Sequence, residues 1–299
     1  MATTLPADFA FVPKVWEDAV MAYFPKKLMF GAVAMQNNTL TQQPGTSINF
    51  PYFKTIGAAS ELLVTDDIVP DKMSDDSFSA TVKEIGKGVA IRRGALMTSS
   101  QEQDVIFGEI QRQIARVMAE KVDADLITEV NTATSHVQGF SAAAAADKAS
   151  VQNILKGLVT AFGDRQDEVV ALYMHSQAYL NIVTDSTAGF LKADANDPFW
   201  NQPGFMGRLL GKAVFVTDQC PNGTAVDTKK TFHMFAVKAN PYGIITKAAP
   251  MMEQDYDLLG REYLFTGTMW YAVKSFHSKV SADDKRVARL TFASDLASV

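Results

Sequence analysis

The chain has 299 residues, 47% hydrophobic and 20% charged, with 28 Lys and Arg against 33 Asp and Glu for a formal net charge of −5. That balance describes a folded, soluble protein, excludes a disordered or collagen-like chain, and argues against an electrostatic grip on nucleic acid, which needs clustered Lys and Arg. One cysteine, Cys220, excludes an intramolecular disulfide framework and a multi-cysteine zinc site, and it fits folding in a reducing cytoplasm.

Residues 1–44 open the chain unevenly. Pro6, Pro13 and Pro25 break them into short pieces, because proline removes a backbone donor and clashes with a preceding helical turn. Val15 to Phe24 has the spacing of a short helix, with Val15, Trp16, Ala19, Val20 and Tyr23 on one side. Gln42-Gln43-Pro44-Gly45 reads as a turn. From Thr46 to Phe53, Ile48, Phe50 and Tyr52 alternate with smaller or polar residues, which is the strand period, and Pro51, which cannot donate to a ladder, makes that strand an edge strand or a partly unpaired one. A second alternating run, Phe78 to Lys83, puts Phe78, Ala80 and Val82 on one face. The polar, acidic stretch between them, Thr55 to Ser77, is long for a loop inside a compact domain. A two-stranded arm needs a packing surface. The residues leave open whether that surface is the arm's own domain or a neighbouring chain.

Asp104 to Asn131 carries the clearest helical signal. Ile106, Ile110, Ile114, Met118, Val122, Leu126 and Val130 recur every four residues, and Val105, Val117 and Ile127 widen the stripe. Glu109, Arg112, Arg116, Glu120 and Lys121 occupy the other sides. Such a helix is on the order of 40 Å long and reads as a structural spine. Ala142 to Ala146 is a junction of low information. Ser150 reads as the N-cap of a helix carrying Val151, Ile154, Leu155, Leu158, Val159 and Phe162, with Gly163 as its stop.

A strand at Glu168 to Met174 follows, then a helix from Ser176 to Thr184 with Ser176 as its N-cap. Further strands fall at Lys212 to Thr217 and Thr231 to Val237. Pro203-Gly204, Pro221-Asn222-Gly223 and Asn240-Pro241-Tyr242-Gly243 mark turns. The mixture makes residues 140–250 an α/β or α+β unit. Tyr263 to Phe276 and Val287 to Phe292 read as long strands joined by a turn through Ser281-Ala282-Asp283-Asp284.

Catalytic signatures are missing. There is no G-x-x-x-x-G-K-[ST], H-E-x-x-H or G-x-S-x-G motif, and Ile91 stands where a dinucleotide fingerprint begun by Gly86-Lys87-Gly88 needs its third glycine. Asp66, Asp67, Asp71, Asp75 and Asp76 lack the spacing and closing Glu of an EF-hand and read as a solvated loop. His175-Ser176 offers half of a nucleophile pair, but a serine between strand and helix is better read as a cap. No catalytic, cofactor-binding or metal-binding residue is therefore assigned. No stretch reaches the roughly 18–20 apolar residues of a membrane span, and the N-terminus lacks the basic start and apolar core of a signal peptide.

Several stretches now matter together. Gly45-Thr46-Ser47-Ile48-Asn49-Phe50-Pro51 with Glu61-Leu62-Leu63 forms one, and Thr81 to Ile91 leads back to the spine. Met174-His175-Ser176 before Tyr179-Leu180, Leu210 to Asp218 with Pro221, and Asp257-Leu258-Leu259-Gly260-Arg261-Glu262-Tyr263 follow in order. In this order and spacing, residues 30–299 resemble the major capsid proteins of tailed bacteriophages, which have the Hong Kong 97-type capsid fold.

The resemblance implies an α+β capsid fold with an N-terminal arm at 1–44 and an extended β-hairpin loop at 45–98. The peripheral domain, with its spine helix, would be 99–139 and 251–299, and the axial domain 140–250. It implies a non-enzymatic head protein that assembles as hexamers and pentamers into an icosahedral shell. That shell would enclose double-stranded phage DNA without sequence-specific binding, in the virion, after assembly in the host cytoplasm. An encapsulin-like compartment shell of the same fold is the alternative. The expected partners are other copies, a portal and a separate scaffolding protein, since Met1 runs into the arm without the scaffolding segment some members carry. A decoration protein is a further candidate partner. No cofactor and no membrane partner are expected. Lys54, Lys72 and Lys83 match no crosslinking position, so no covalent crosslink is expected. Candidate contacts between copies are Phe50, Tyr52, Phe53 and Phe78 on the arm, and Arg92 and Arg93 against Asp66, Asp67, Asp75 or Asp76 of a neighbour. A charge of −5 suits a wall that contains DNA without gripping it.

Overall fold

A computed structural model describes residues 29–41, 44–53, 59, 61, 68, 70–99, 103–131, 137–139, 149–184, 190–192, 197–226, 229–276 and 286–297. The helix expected at Val15 to Phe24 lies outside them. The helices are α1 (Arg93–Thr98), α2 (Gln103–Asn131), α3 (Val151–Phe162) and α4 (Ser176–Thr184). The first strands are β1 (Met35–Asn37), β2 (Ser47–Phe53), β3 (Asp75–Thr81), β4 (Lys83–Arg92), β5 (Val137–Gly139), β6 (Val169–Met174) and β7 (Phe190–Lys192). The rest are β8 (Phe205–Leu209), β9 (Lys212–Val216), β10 (Asn222–Val226), β11 (Lys229–Lys238), β12 (Tyr242–Asp257), β13 (Glu262–Ser275) and β14 (Val287–Ala297).

The spine is α2, and its stripe of Phe107, Ile110, Ile114, Met118, Val122, Leu126 and Val130 is buried. Val105 and Val117 sit on the outer flank, 55% and 44% exposed, so the stripe widens as expected at Ile127, with Ala115 and Ala119, but not on the valine side. Glu109–Arg112 and Arg116–Glu120 pair along the solvent side at 2.6 Å. Each such exposed pair adds only about 0.2–0.5 kcal/mol, so packing rather than charge holds the helix.

Beneath the spine lies a four-stranded sheet in the order β1-β12-β13-β4. The return strand β4 is antiparallel to β13 from Lys83↔Tyr271 to Arg92↔Glu262. β12 was not legible as a strand. Its start overlaps the turn signal at Asn240-Pro241-Tyr242-Gly243, and Pro250 interrupts it. The ladder shifts register between Ala248 and Met251, on either side of that proline, where a donor is missing.

Gly267 in β13 permits the spine's close approach: a Cβ there would lie 2.5 Å from Ile114 Cγ2. Gly267→Ala is expected to destabilise the subunit by about 1–3 kcal/mol through overpacking. Urea unfolding checks this, and an unchanged midpoint would contradict the close packing.

The second sheet runs β5-β14-β11-β6-β9-β8-β7, with β10 also paired to β11. One face meets α2 and the four-stranded sheet through Ala171, Tyr173, Phe215, Phe235 and Val237. The other face, with Leu172, Met174, Met234 and Leu290, is covered by Ile154 and Leu158 of α3 and Ala178 and Ile182 of α4. As expected, Ser150 caps α3, its Oγ accepting the Asn153 N–H at 3.2 Å, and Gly163 ends it at φ 56°.

The two C-terminal strands are not a hairpin. β13 pairs with β12 and β4, whereas β14 crosses to the other sheet and pairs with β11 and β5. The alternation of Val287, Arg289 and Thr291 with Ala288, Leu290 and Phe292 is equally compatible with either sheet. The apolar side of β11 decides between them.

Candidate intersubunit surfaces

β2 and β3 pair antiparallel, with Ser47 opposite Thr81 and Phe53 opposite Asp75. Their aromatic residues come together on the chain's own body. Phe50 meets Phe276 edge-on with ring centroids 4.9 Å apart, Tyr52 stacks on Phe78 at 4.6 Å, and Phe78 lies 6.1 Å from Phe276. Ala80, Ile245 and Ala272 form a small core there with Leu40, Ile48, Phe50 and Val82. The packing surface that the sequence left open is therefore intrachain at the root. Phe53, at the outer end of β2, is 71% exposed. Asp75 and Asp76 begin β3, and Asp66 and Asp67 lie outside the described residues.

Arg92 ends β4 opposite Glu262, and the Arg93 N–H donates to the Arg261 carbonyl at 2.9 Å. Both arginines are exposed. The same corner holds the β12–β13 turn. The Leu259 N–H donates to Asp257 Oδ1 at 2.8 Å, and Arg261 takes a left-handed φ of 54°. This fixed turn presents Leu258 at 79% and Leu259 at 97% exposure. Sequence reasoning did not single them out as contacts. The available signal was two adjacent leucines between turn-forming Asp and Gly.

Carboxylates on one turn of α2 hold the chain at Met29 and Phe30 and again at Lys83. Asp123, 1% exposed, accepts the Met29 N–H through Oδ2 at 2.8 Å and the Phe30 N–H through Oδ1 at 3.1 Å. Phe30 stacks on Tyr173 at 4.2 Å, and its carbonyl accepts the Tyr242 hydroxyl at 2.8 Å. Burial pushes the Asp123 carboxyl up to about 7 against the two backbone donors, with Glu120 adding repulsion. Asp125 accepts Lys83 at 2.7 Å and Lys121 at 3.1 Å, and also the Tyr271 hydroxyl. Burial alone would raise the Asp125 carboxyl, but hydrogen bonds from Lys83, Tyr271 and Lys121 outweigh it and hold it below its ordinary value. Asp123 was detectable in the sequence as a carboxylate on the inward stripe, four residues after Ala119 and four before Ile127.

His175 and Ser176 do structural work. The cap of α4 is His175 rather than the expected Ser176: Nδ1 accepts the Gln177 N–H at 3.2 Å, and the His175 carbonyl accepts the Tyr179 N–H at 3.1 Å. Ser176 Oγ lies 3.4 Å from the same Nδ1, and Asp218 lies 3.7 Å from Nε2. Burial lowers the imidazole pKa more than Asp218 raises it. The lone pair that would take a proton from Ser176 already accepts a backbone N–H, so the trio closes a helix end rather than activating a nucleophile.

The geometry therefore comprises a long spine on a four-stranded sheet, a two-faced central sheet, and the paired strands β2 and β3 at the edge. The capsid of Ralstonia phage GP4 matches it with a TM-score of 0.71 at 12% identity, over 93% of this chain and 92% of that one. The fold is the Hong Kong 97-type capsid fold. The same capsid fold accounts for the match to the holo-SrpI encapsulin complex from Synechococcus elongatus PCC 7942, with a TM-score of 0.55 and 10% identity over 76% of this chain and 80% of that one. In sequence, the chain is 27% identical over 219 residues to the major capsid protein of Staphylococcus phage phiMR11, covering 73% of this chain and 76% of that protein. No protein-family model matches the chain.

Proposed function

We propose that this chain is a major capsid protein, the repeating subunit of an icosahedral shell that encloses phage double-stranded DNA. The observation that carries the reading is the conjunction of a capsid fold over nearly the whole chain with sequence similarity to a phage major capsid protein over 73% of it. The role is structural, not catalytic. Copies associate as hexamers and pentamers, because identical subunits in heterologous contact close into rings and rings build a shell. The subunit assembles in the host cytoplasm with a separate scaffolding protein, joins a portal, and offers an outer surface to a decoration protein.

In domain terms, α2 with the four-stranded sheet is the peripheral domain, and the eight-stranded sheet with α3 and α4 is the axial domain. The pairing of β14 with β11 supports moving the C-terminal strand from the peripheral to the axial unit. Phe53, Arg92, Arg93, Leu258 and Leu259 are the exposed candidates for contact with neighbouring copies. Arg92→Glu with Arg93→Glu is expected to impair assembly far more than subunit folding. Normal shells from that variant would refute an ionic role for the pair.

The encapsulin-like alternative is favoured by the fold match to an encapsulin complex, but that match covers less of the chain. Electron microscopy of the protein expressed alone and with its scaffold tests the main reading. Closed shells that package DNA in the phage support it. Shells purified with an enzyme cargo favour the alternative, and a monomer under all conditions overturns both.

A further inference from the structure

Asp123 and Asp125 stand two residues apart, so they leave opposite sides of the spine while belonging to the same helical turn. Asp123 points between the two sheets and holds Met29 and Phe30, where the N-terminal arm enters the body. Asp125 faces the sheet edge and holds Lys83, the first residue of β4, where the chain returns from the extended loop. Between the loop hairpin and β4, Val82 bridges the two with its N–H donated to the Thr46 carbonyl at 2.8 Å. The flanking residues Val122 and Leu126 are fully buried, so the turn is packed as one rigid piece.

Hydrogen bonds from N–H to oxygen span about 2.7–3.2 Å, and a contact stretched to about 3.6 Å is no longer one. The anchors at Asp123 and Asp125 are already 2.7–3.1 Å long. A shift of this turn by about 1 Å would therefore break the hold on both arms together. We propose that this turn of the spine is a mechanical junction that couples the N-terminal arm to the extended loop, so that displacing the root of either one loosens the other. The junction belongs to the single subunit and acts independently of the shell reading. By reciprocity, the coupling free energy is the same whichever arm is perturbed.

Hydrogen exchange on the full-length, unassembled subunit tests it. Lys83→Met removes the charge and keeps the apolar stem. In that variant the amides of Met29 and Phe30, which Lys83 does not touch, are expected to exchange about 5–150-fold faster, the range of ordinary coupling energies. Reciprocally, Asp123→Asn is expected to accelerate the Val82 amide. Amides of α3 from Ile154 to Leu158, remote from both anchors, report global unfolding and serve as the reference, and the acceleration expected at the distant root exceeds theirs. Acceleration confined to the mutated side, or no larger at the distant root than in α3, would overturn the coupling.

Discussion

Asp123→Ala is expected to destabilise the subunit by about 3 kcal/mol at pH 5, since it leaves the buried Phe30 N–H and the part-buried Met29 N–H unpaired, at roughly 2 and 1 kcal/mol. The donors are those of Met29 and Phe30, and Phe30 is fully buried, so water offers no replacement without opening the core. Asp123→Asn keeps one carbonyl oxygen as an acceptor and should cost about half as much. The wild-type protein carries a pH signature as well. Burial lifts the folded-state carboxyl from 3.8 to about 7, so the native state holds this proton more tightly than the unfolded chain does. The resulting contribution is complete below the unfolded pKa and is lost as pH rises through the folded one, a change of roughly 4 kcal/mol in all, of which about 3 kcal/mol falls above pH 5. Thermal or urea unfolding of unassembled subunits between pH 5 and pH 8 should show this slope in the wild type. The slope should be absent in Asp123→Asn, and parallel pH profiles for the two proteins would contradict the assignment.

Replacing Leu258 and Leu259 together by Ser should abolish closed shells while leaving subunit stability within about 0.5 kcal/mol, as befits exposed positions. The two side chains are already in water in the subunit, at 79% and 97% exposure, so folding loses nothing when they become polar. Association is different. Burying two leucines against a neighbour contributes about 3–6 kcal/mol per contact, and each 1.4 kcal/mol is roughly a factor of ten in affinity. The turn is also fixed before binding by the Asp257 carboxylate and the Arg93–Arg261 backbone bond, so little ordering entropy is lost on contact. Sedimentation and electron microscopy read assembly, and calorimetry reads the subunit. Normal shells from the double variant would show that these leucines face solvent in the particle too. Leu259→Cys provides a direct probe, because Cys220 is buried and its thiol is pushed up by burial, leaving the new cysteine as the reactive one.

The surfaces were legible to different degrees. Arg92 and Arg93 lie exposed at the end of β4. Alternation alone leaves Phe50, Tyr52 and Phe78 as candidates to meet a neighbour, whereas in the subunit Phe50 and Phe78 pack with Phe276, about 200 positions away, and Tyr52 stacks on Phe78. No local pattern reports such a partner. In the sequence Lys83 is one lysine among several near the loop, and its ion pair with Asp125 depends on β4 lying against the spine.

The sequence by itself determined the periodic elements: the spine from its four-residue recurrence, α3 from Ser150 and Gly163, and the loop strands from their alternation. These depend on residues within one or two turns or strand repeats, where side-chain direction follows backbone geometry. Only the tertiary structure decided which strands pair. β13 and β14 look alike in pattern but enter different sheets, and β12 is a strand despite Pro250 because β1 and β13 supply its ladder from either side. Pairing is a matter of register between segments far apart in the chain, and its free energy comes from burial that neither segment achieves alone. The same reason places Asp123 and Asp125: the helix puts them on one turn, but what each holds is settled by the distant segments that fold against it.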